Sequence, residues 1–454
     1  MGTFARLASA LWMAVALFPS PARAQAPGPT GVDACNQAID LLDKDKPAEA
    51  LAILERARGT MDPEDEWLWW GNCGLAHRDL RRDAPALEHF ARAIELKKDC
   101  WFRFQYALLL HQFGRWDEAL EALNGPIPES YADDAKGLRA VIEGPYRKKY
   151  PRSWRRFEYS TRSGVYRVVS DMGADLDALS AVEAEVAKLD PAKPLEKAKI
   201  EQLLKPSAQL VNVANMLELA RKEYMRIAGM PENEWPKGKM FKVFFLRNKP
   251  EFDAFAGAVM KDHSTENLLG FYDPTFKYLQ LFDQQDHYQI CGIGKDTIDT
   301  FLHEGWHQFF DVLAARTPIW MNEGIAEYLG AADISADGRK LVLGTLIRED
   351  GDFVTNFEQI RKRIENGSAY RWKELFRITV PQWHAGDRHA LYAQSWSIVY
   401  YAMKGNNEPF RRDFQKFFAE IRKGKPWREA LELHLPEKKL DAYEVQWLEF
   451  MKKL

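Results

Sequence analysis

The chain has little cysteine, little net charge and no long apolar run. Four cysteines stand among 454 residues, none in a CxxC pair or at zinc-knuckle spacing, so a cysteine-ligated metal module is excluded. Cys35, Cys73 and Cys100 lie in the N-terminal third and Cys291 just ahead of a histidine pair. Buried thiols or one structural bridge are expected of them, with Cys35–Cys73 as the pair singled out. A formal net charge of −3 offers no electrostatic footprint for nucleic acid or another polyanion. No internal window reaches the ~18 uncharged residues that a membrane helix needs. The longest, Ala390 to Met403, reads as a buried core helix. With 46% hydrophobic and 28% charged residues the composition is that of a folded globular protein, and the length allows two or three domains.

The N-terminus, MGTFARLASALWMAVALFPSPARAQAPG, carries Arg6, then an apolar stretch from Leu7 to Phe18, a helix-ending Pro19, and the small-residue pattern Ala22-Arg23-Ala24. An apolar core of about 12 residues is too short to span a bilayer and fits a cleavable signal peptide over residues 1–24. Its removal takes away Arg6 and Arg23 and moves the net charge from −3 to −5. The expectation is an exported protein, secreted or periplasmic, without a stable membrane anchor.

From Asp33 to Gly125 the sequence repeats itself. Trp67 and Trp101 are 34 residues apart, and each opens a helical pattern. The second helices align as PAEALAILERA, DAPALEHFARA and WDEALEALNG, with Ala50-Leu51, Ala86-Leu87 and Ala119-Leu120 at matching places. Small residues let paired helices approach, and large ones fill the gap between repeats. The stretch resembles tetratricopeptide repeats, about three of them. The resemblance implies an all-α helical-repeat domain over residues 33–145, either one that binds a protein partner or a solenoid that only props up the next domain.

Near Tyr150 the texture changes. Arg156 to Asp171 alternates around Ser163-Gly164 and reads as a β-hairpin. Charged helical sequence runs from Leu176 to Ala228 with a break near Pro191. Met240 to Asn248 reads as a buried strand and PEFDAFAGAVM as a helix. Gly270 to Asp283 reads as a second hairpin turning at Asp273-Pro274, and the chain from Thr297 onward as almost entirely helical. Strands first and helices afterwards predict an α+β domain over residues 150–454.

Within it, FLHEGWHQFF contains His303, Glu304 and His307 in the spacing HExxH. Residues i and i+4 of a helix share one face, so both imidazoles reach one ion, while Glu304, turned by about 100°, sits beside it as a base for bound water. Two histidines on a buried helix face are also compatible with plain core packing. A zinc hydrolase needs a third protein ligand and an open position. PIWMNEGIAEYLG supplies Glu323, 16 residues past His307, on a second helix that returns antiparallel, and Glu327 one turn further along the same face. Glu327 is placed to accept a hydrogen bond from a ligating imidazole.

HEGWH followed by W-M-N-E-G-I-A-E resembles the glutamate-zincins, the metallopeptidases whose third zinc ligand is a glutamate on the following helix. It is most similar to their peptidase-MA-like bacterial branch, through Gly270-Phe271-Tyr272 upstream and Tyr392 to Trp396 downstream. The resemblance spans about Tyr166 to Met403. It implies a zincin-like fold, Zn2+ held by His303, His307 and Glu323, Glu304 as catalytic base, and Glu327 supporting a ligand histidine. Two departures stand out: no Gly-x-Met-Glu-Asn segment, which argues against exopeptidase action, and a short gap from His307 to Glu323. Asp311 is a rival third ligand, but one helix then has to stretch across the ion; Phe310 occupies the place of the metzincin glycine. Tyr392 or His389 is the candidate donor to the developing oxyanion, and the 270–283 hairpin a candidate edge for an extended peptide substrate. The expected function is a zinc-dependent metallopeptidase acting on a peptide or protein. The alternatives are an exported repeat protein with an inactive peptidase-like domain, and a zinc hydrolase of non-peptide amides.

Overall fold

The computed structural model describes residues 31–260, 264–266, 268–284, 289–314, 317–335, 337–347 and 355–454. The expected signal peptide, 1–24, lies outside them. The architecture is mixed α/β: an N-terminal helical region, a small sheet, and a helical C-terminal half.

The N-terminal region is built of helical hairpins: α1 (Gly31–Asp43) with α2 (Pro47–Arg56), α3 (Glu66–Asp79) with α4 (Asp83–Leu96), and α5 (Phe102–Gln112) with α6 (Trp116–Asn124), closed by α7 (Ala132–Glu143). All three turns share one geometry. Asp45, Arg81 and Gly114 each adopt φ near +60°. In each turn the following amide bonds back to the first helix, Lys46 N to Leu41 O, Arg82 N to His77 O and Arg115 N to Leu110 O. This is the left-handed helix stop, which satisfies carbonyls that the helix end leaves free. The aligned alanines Ala50, Ala86 and Ala119 are fully buried. A Cβ on Gly74 would lie 2.6 Å from the Phe90 ring, so the α3–α4 approach needs glycine there.

The five-stranded sheet has the order β1-β2-β3-β5-β4, from β1 (Glu158–Ser160), β2 (Tyr166–Ser170), β3 (Phe241–Leu246), β4 (Gly270–Asp273) and β5 (Tyr278–Phe282). Both expected hairpins form: Tyr159 faces Val168, and Tyr272 faces Leu279. The second turn takes residues 274–277 rather than closing at Asp273-Pro274, because Asp273 Oδ1 accepts from the amides of Thr275 and Phe276 and draws the chain into a wider loop. The three central strands β2, β3 and β5 are parallel. Parallel neighbours need crossovers, and these are α8 (Leu179–Val186), α9 (Pro194–Leu203) and α10 (Ala208–Ile227) before β3, then α11 (Lys249–Val259) after it. Strands and helices are therefore interleaved where the sequence pattern suggested strands first.

Every residue of β3 is buried, because both sheet faces are covered. Val168, Val243, Phe245, Leu279 and Leu281 face α10 and the C-terminal helices. Val169, Phe244, Leu246 and Tyr278 face the other way and share a core with Phe104 and Leu108 of α5, Leu123 of α6 and Val141 of α7. The backbone joins as well, Met240 N donating to Gln112 O at 2.7 Å.

The C-terminal half contains α12 (Lys295–Leu313), α13 (Ile319–Gly330), α14 (Thr355–Glu365), α15 (Trp372–Leu375), α16 (Val380–Ala385), α17 (Arg388–Lys404), α18 (Glu408–Arg422), α19 (Trp427–His434) and α20 (Glu437–Met451). Two two-stranded ladders interrupt this part of the chain, β6 (Gln289–Ile290) with β7 (Ile293–Gly294) and β8 (Asp333–Ile334) with β9 (Leu341–Val342). The uncharged window at Ala390 is the buried core helix α17, started by Asp387, whose carboxylate accepts from Ala390 N. The Cys35–Cys73 bridge does not form: both are buried thiols outside any disulfide. Burial in the α1–α3 core removes the need for a cross-link and pushes the Cys35 thiol up to about 11. No helix among the described residues is long and apolar enough to cross a membrane.

Candidate metal centre

The helix α12 is fixed by its apolar side. Phe301, Leu302, Trp306 and Phe309 are buried, and Tyr224 of α10 donates to Leu302 O at 2.9 Å. Gly305 makes that contact possible, since a Cβ there would meet the Tyr224 hydroxyl at 2.7 Å. The opposite side carries His303, Glu304 and His307. After Pro318 the chain returns as α13, whose buried Trp320, Met321 and Ile325 leave Glu323 and Glu327 facing α12.

The donor atoms of His303, His307 and Glu323 all lie within 4.8 Å of one another. His303 Nε2 and His307 Nε2 are 3.2 Å apart, and Glu323 Oε2 lies 3.7 Å from the first and 3.5 Å from the second. A tetrahedral ion with bonds of about 2.0–2.1 Å holds its ligands about 3.3–3.4 Å apart, so this triangle fits a divalent cation with one corner open. The charge balance fits as well, because Glu304, Glu323 and Glu327 surround only two imidazoles.

Burial tends to lower both imidazoles. For His303 it prevails and gives about 4, with His307 adding to it. For His307 the Glu323 carboxylate overrides burial and holds the ring up at about 9. Glu323 is correspondingly lowered, His307 outweighing burial. Burial lifts Glu304 to about 7 against the opposing pull of His307 and of the Tyr272 amide. That amide, on β4, donates to Glu304 Oε2 at 2.9 Å, so the sheet's edge strand lies along the site.

Each imidazole has a neighbour on its far side. His303 Nδ1 lies 3.4 Å from Glu327 Oε1, as the spacing predicted. Asn322 lies beside His307 and helps to hold it up; it stands directly before Glu323, a signal that the sequence reading passed over. Asn356 of α14 donates to Glu327 Oε2 at 2.6 Å, a contact with no signature in the sequence. Asp311 is not a ligand. It accepts from Tyr272 Oη at 2.9 Å and Lys277 Nζ at 2.7 Å.

Of the two oxyanion candidates, the structure brings one to the site. Tyr392 is half-buried and feels Glu323, Glu327 and Glu304, while burial raises its hydroxyl and keeps it protonated. His389, in the first turn of α17, is exposed and its charged neighbour is Asp387. His384, at the end of α16, is exposed as well, with Arg388 and Glu323 among its charged neighbours, and the sequence reading did not single it out. The rest of the YAQSW segment is structural: Gln394 brackets Tyr370, accepting from its amide at 2.7 Å and donating to its carbonyl at 2.6 Å, and Trp396 is buried.

The family described as a protein of unknown function, DUF1570, matches residues 297–426. The match starts within α12 and ends after α18, so it takes in His303, Glu304, His307, Glu323, Glu327, Asn356 and Tyr392. No curated protein matches the chain.

Proposed function

We propose that the chain is a zinc-dependent metallopeptidase, with a zincin-like α+β domain carrying the site and tetratricopeptide-like helices ahead of it, and that it is exported. The observation that carries this reading is the triangle of His303, His307 and Glu323 donors with Glu304 beside it. Bound there, zinc supplies a Lewis acid for the scissile carbonyl and brings the pKa of water down to about 7. Glu304, beside the open corner and held by the Tyr272 amide, would be placed to take a proton from a water there and to hand it to the leaving amine. Tyr392 keeps its proton and, with His384, offers a donor near the carboxylates where the oxyanion develops. The backbone of β4 faces the site through Tyr272, and an extended peptide pairs with that edge as an added strand.

The test is zinc content together with peptide cleavage in wild type and Glu304→Gln. The variant is expected to keep its zinc and to lose at least about a hundredfold in rate, the contribution of a general base. A purified chain that holds no metal, or a Glu304→Gln enzyme as fast as wild type, overturns the proposal.

A further inference from the structure

We infer that Asn356 is a positioning residue for the metal centre, setting the orientation of His303 through Glu327. The inference rests on the metal reading above and concerns a residue outside the HExxH and glutamate helices.

Glu327 has two oxygens and uses each once. Oε2 accepts from Asn356 Nδ2 at 2.6 Å, and Oε1 lies 3.4 Å from His303 Nδ1. Rotation of a glutamate carboxylate about its last bond is broad and nearly two-fold, so a single long contact to an imidazole does not select an orientation. The short bond from the Asn356 amide does. With Oε2 held, Oε1 faces Nδ1, the His303 proton stays on Nδ1, and the Nε2 lone pair is left for the corner shared with His307 and Glu323. The amide is the appropriate group, since it presents a donor without charge, whereas an aspartate in the same space turns acceptor against acceptor.

Asn356 is itself anchored. It is the second residue of α14, and the next residue, Phe357, is buried, with its ring 6.5 Å from Trp396 of α17 in an edge-on contact. The same α17 carries Tyr392. The path of polar contacts from α14 through Asn356 and Glu327 to His303 therefore ties the helix of the oxyanion donor to the helix of the metal ligands.

The experiment measures zinc affinity of the chelator-stripped full chain by competition with a chromophoric chelator, alongside the urea midpoint of the stripped protein. Asn356→Ala is expected to weaken zinc about tenfold, the lower end for partners behind a ligand. Asn356→Asp, equal in shape, is expected to weaken it further, because it removes the donor and sets a second carboxylate against Glu327. Both stripped variants should stay folded, with the urea midpoint lowered only modestly by the loss of a donor to the half-buried Glu327 carboxylate. Zinc affinity within twofold of wild type in both variants, or a fallen midpoint with affinity unchanged, overturns the inference and leaves the metal reading standing. A wild-type chain that binds no zinc removes both.

Discussion

Lys242→Met is expected to stabilise the protein in mildly acidic solution and to destabilise it in alkaline solution. Lys242 points from β3 into the core shared with the N-terminal helices. Its Nζ donates to Ile142 O of α7 at 2.7 Å and lies 5.2 Å from the Trp116 ring of α6. Burial lowers its pKa from 10.5 to about 7, with Glu158 opposing and Arg167 and Arg147 adding to the depression. His111 of α5, held down to about 3 by burial and by this lysine, faces the same space. At about 1.4 kcal/mol per unit, the depression of Lys242 is on the order of 5 kcal/mol. Since the folded pKa lies below the unfolded one, the folded state carries the full penalty below pH 7, where both states are protonated. The penalty shrinks as pH rises from about 7 towards 10.5, because there the unfolded chain holds a proton that the folded chain has released. Methionine removes the penalty but leaves Ile142 O without its donor, a loss of about 1–3 kcal/mol. The variant should thus be more stable by about 2–4 kcal/mol at pH 6, the advantage should fall by about 1.4 kcal/mol per pH unit above 7, and its sign should reverse between about pH 8.5 and 10. Urea titrations of both proteins at pH 6, 8 and 9.5 read this directly. Curves that stay parallel across pH, or a variant weaker at pH 6, refute the reasoning.

Arg81 holds φ of +57° in the α3–α4 turn, a conformation that penalises an L side chain by about 1 kcal/mol. Arg81→Gly should therefore be more stable than Arg81→Ala by about 1 kcal/mol in urea, both lacking the guanidinium; equal midpoints refute the strain. A Cβ on Gly324 would lie 2.6 Å from the backbone oxygen of Ser395, so Gly324→Ala should push α13 away from α17 and lower stability by about 1–3 kcal/mol. Because Glu323 rides on the displaced turn, zinc affinity in a chelator competition should fall with it, and a variant equal to wild type in both measurements contradicts the packing.

The helices were legible because their signals are local. The recurrent alanines, the apolar side of α12 and the uncharged run of α17 each follow from a period of about 3.6 residues or from length alone. The triangle of donors was legible for the same reason: His303 and His307 share one helix face, and Glu323 needed only an antiparallel return. Partner choice was not. Strand β3 reads as buried, yet nothing in FKVFFL names β2 and β5 as its parallel neighbours, since a run buried on both faces has no register of its own. Choosing between His384 and His389, five residues apart, depends on where α16 ends and α17 begins, and helix boundaries are set by caps such as Asp387 rather than by the pattern. Asn356 is harder still, because it meets Glu327 from 29 positions further along the chain.

The packing of the N-terminal helices bears on what they do. They do not form one core. Leu54, Cys73, Phe90 and Phe102 gather in a cluster of their own among α1–α5, whereas Phe104, Leu108, Leu123 and Val141 belong to the core beneath the sheet. Loss of α5–α7 would uncover Phe244, Leu246 and Tyr278, three large side chains worth several kcal/mol of burial together, and would release the strand on which α12 rests: Gln308 of α12 donates to Lys242 O at 3.0 Å. Those three helices therefore hold the sheet, the sheet holds α12, and the site inherits its rigidity from them.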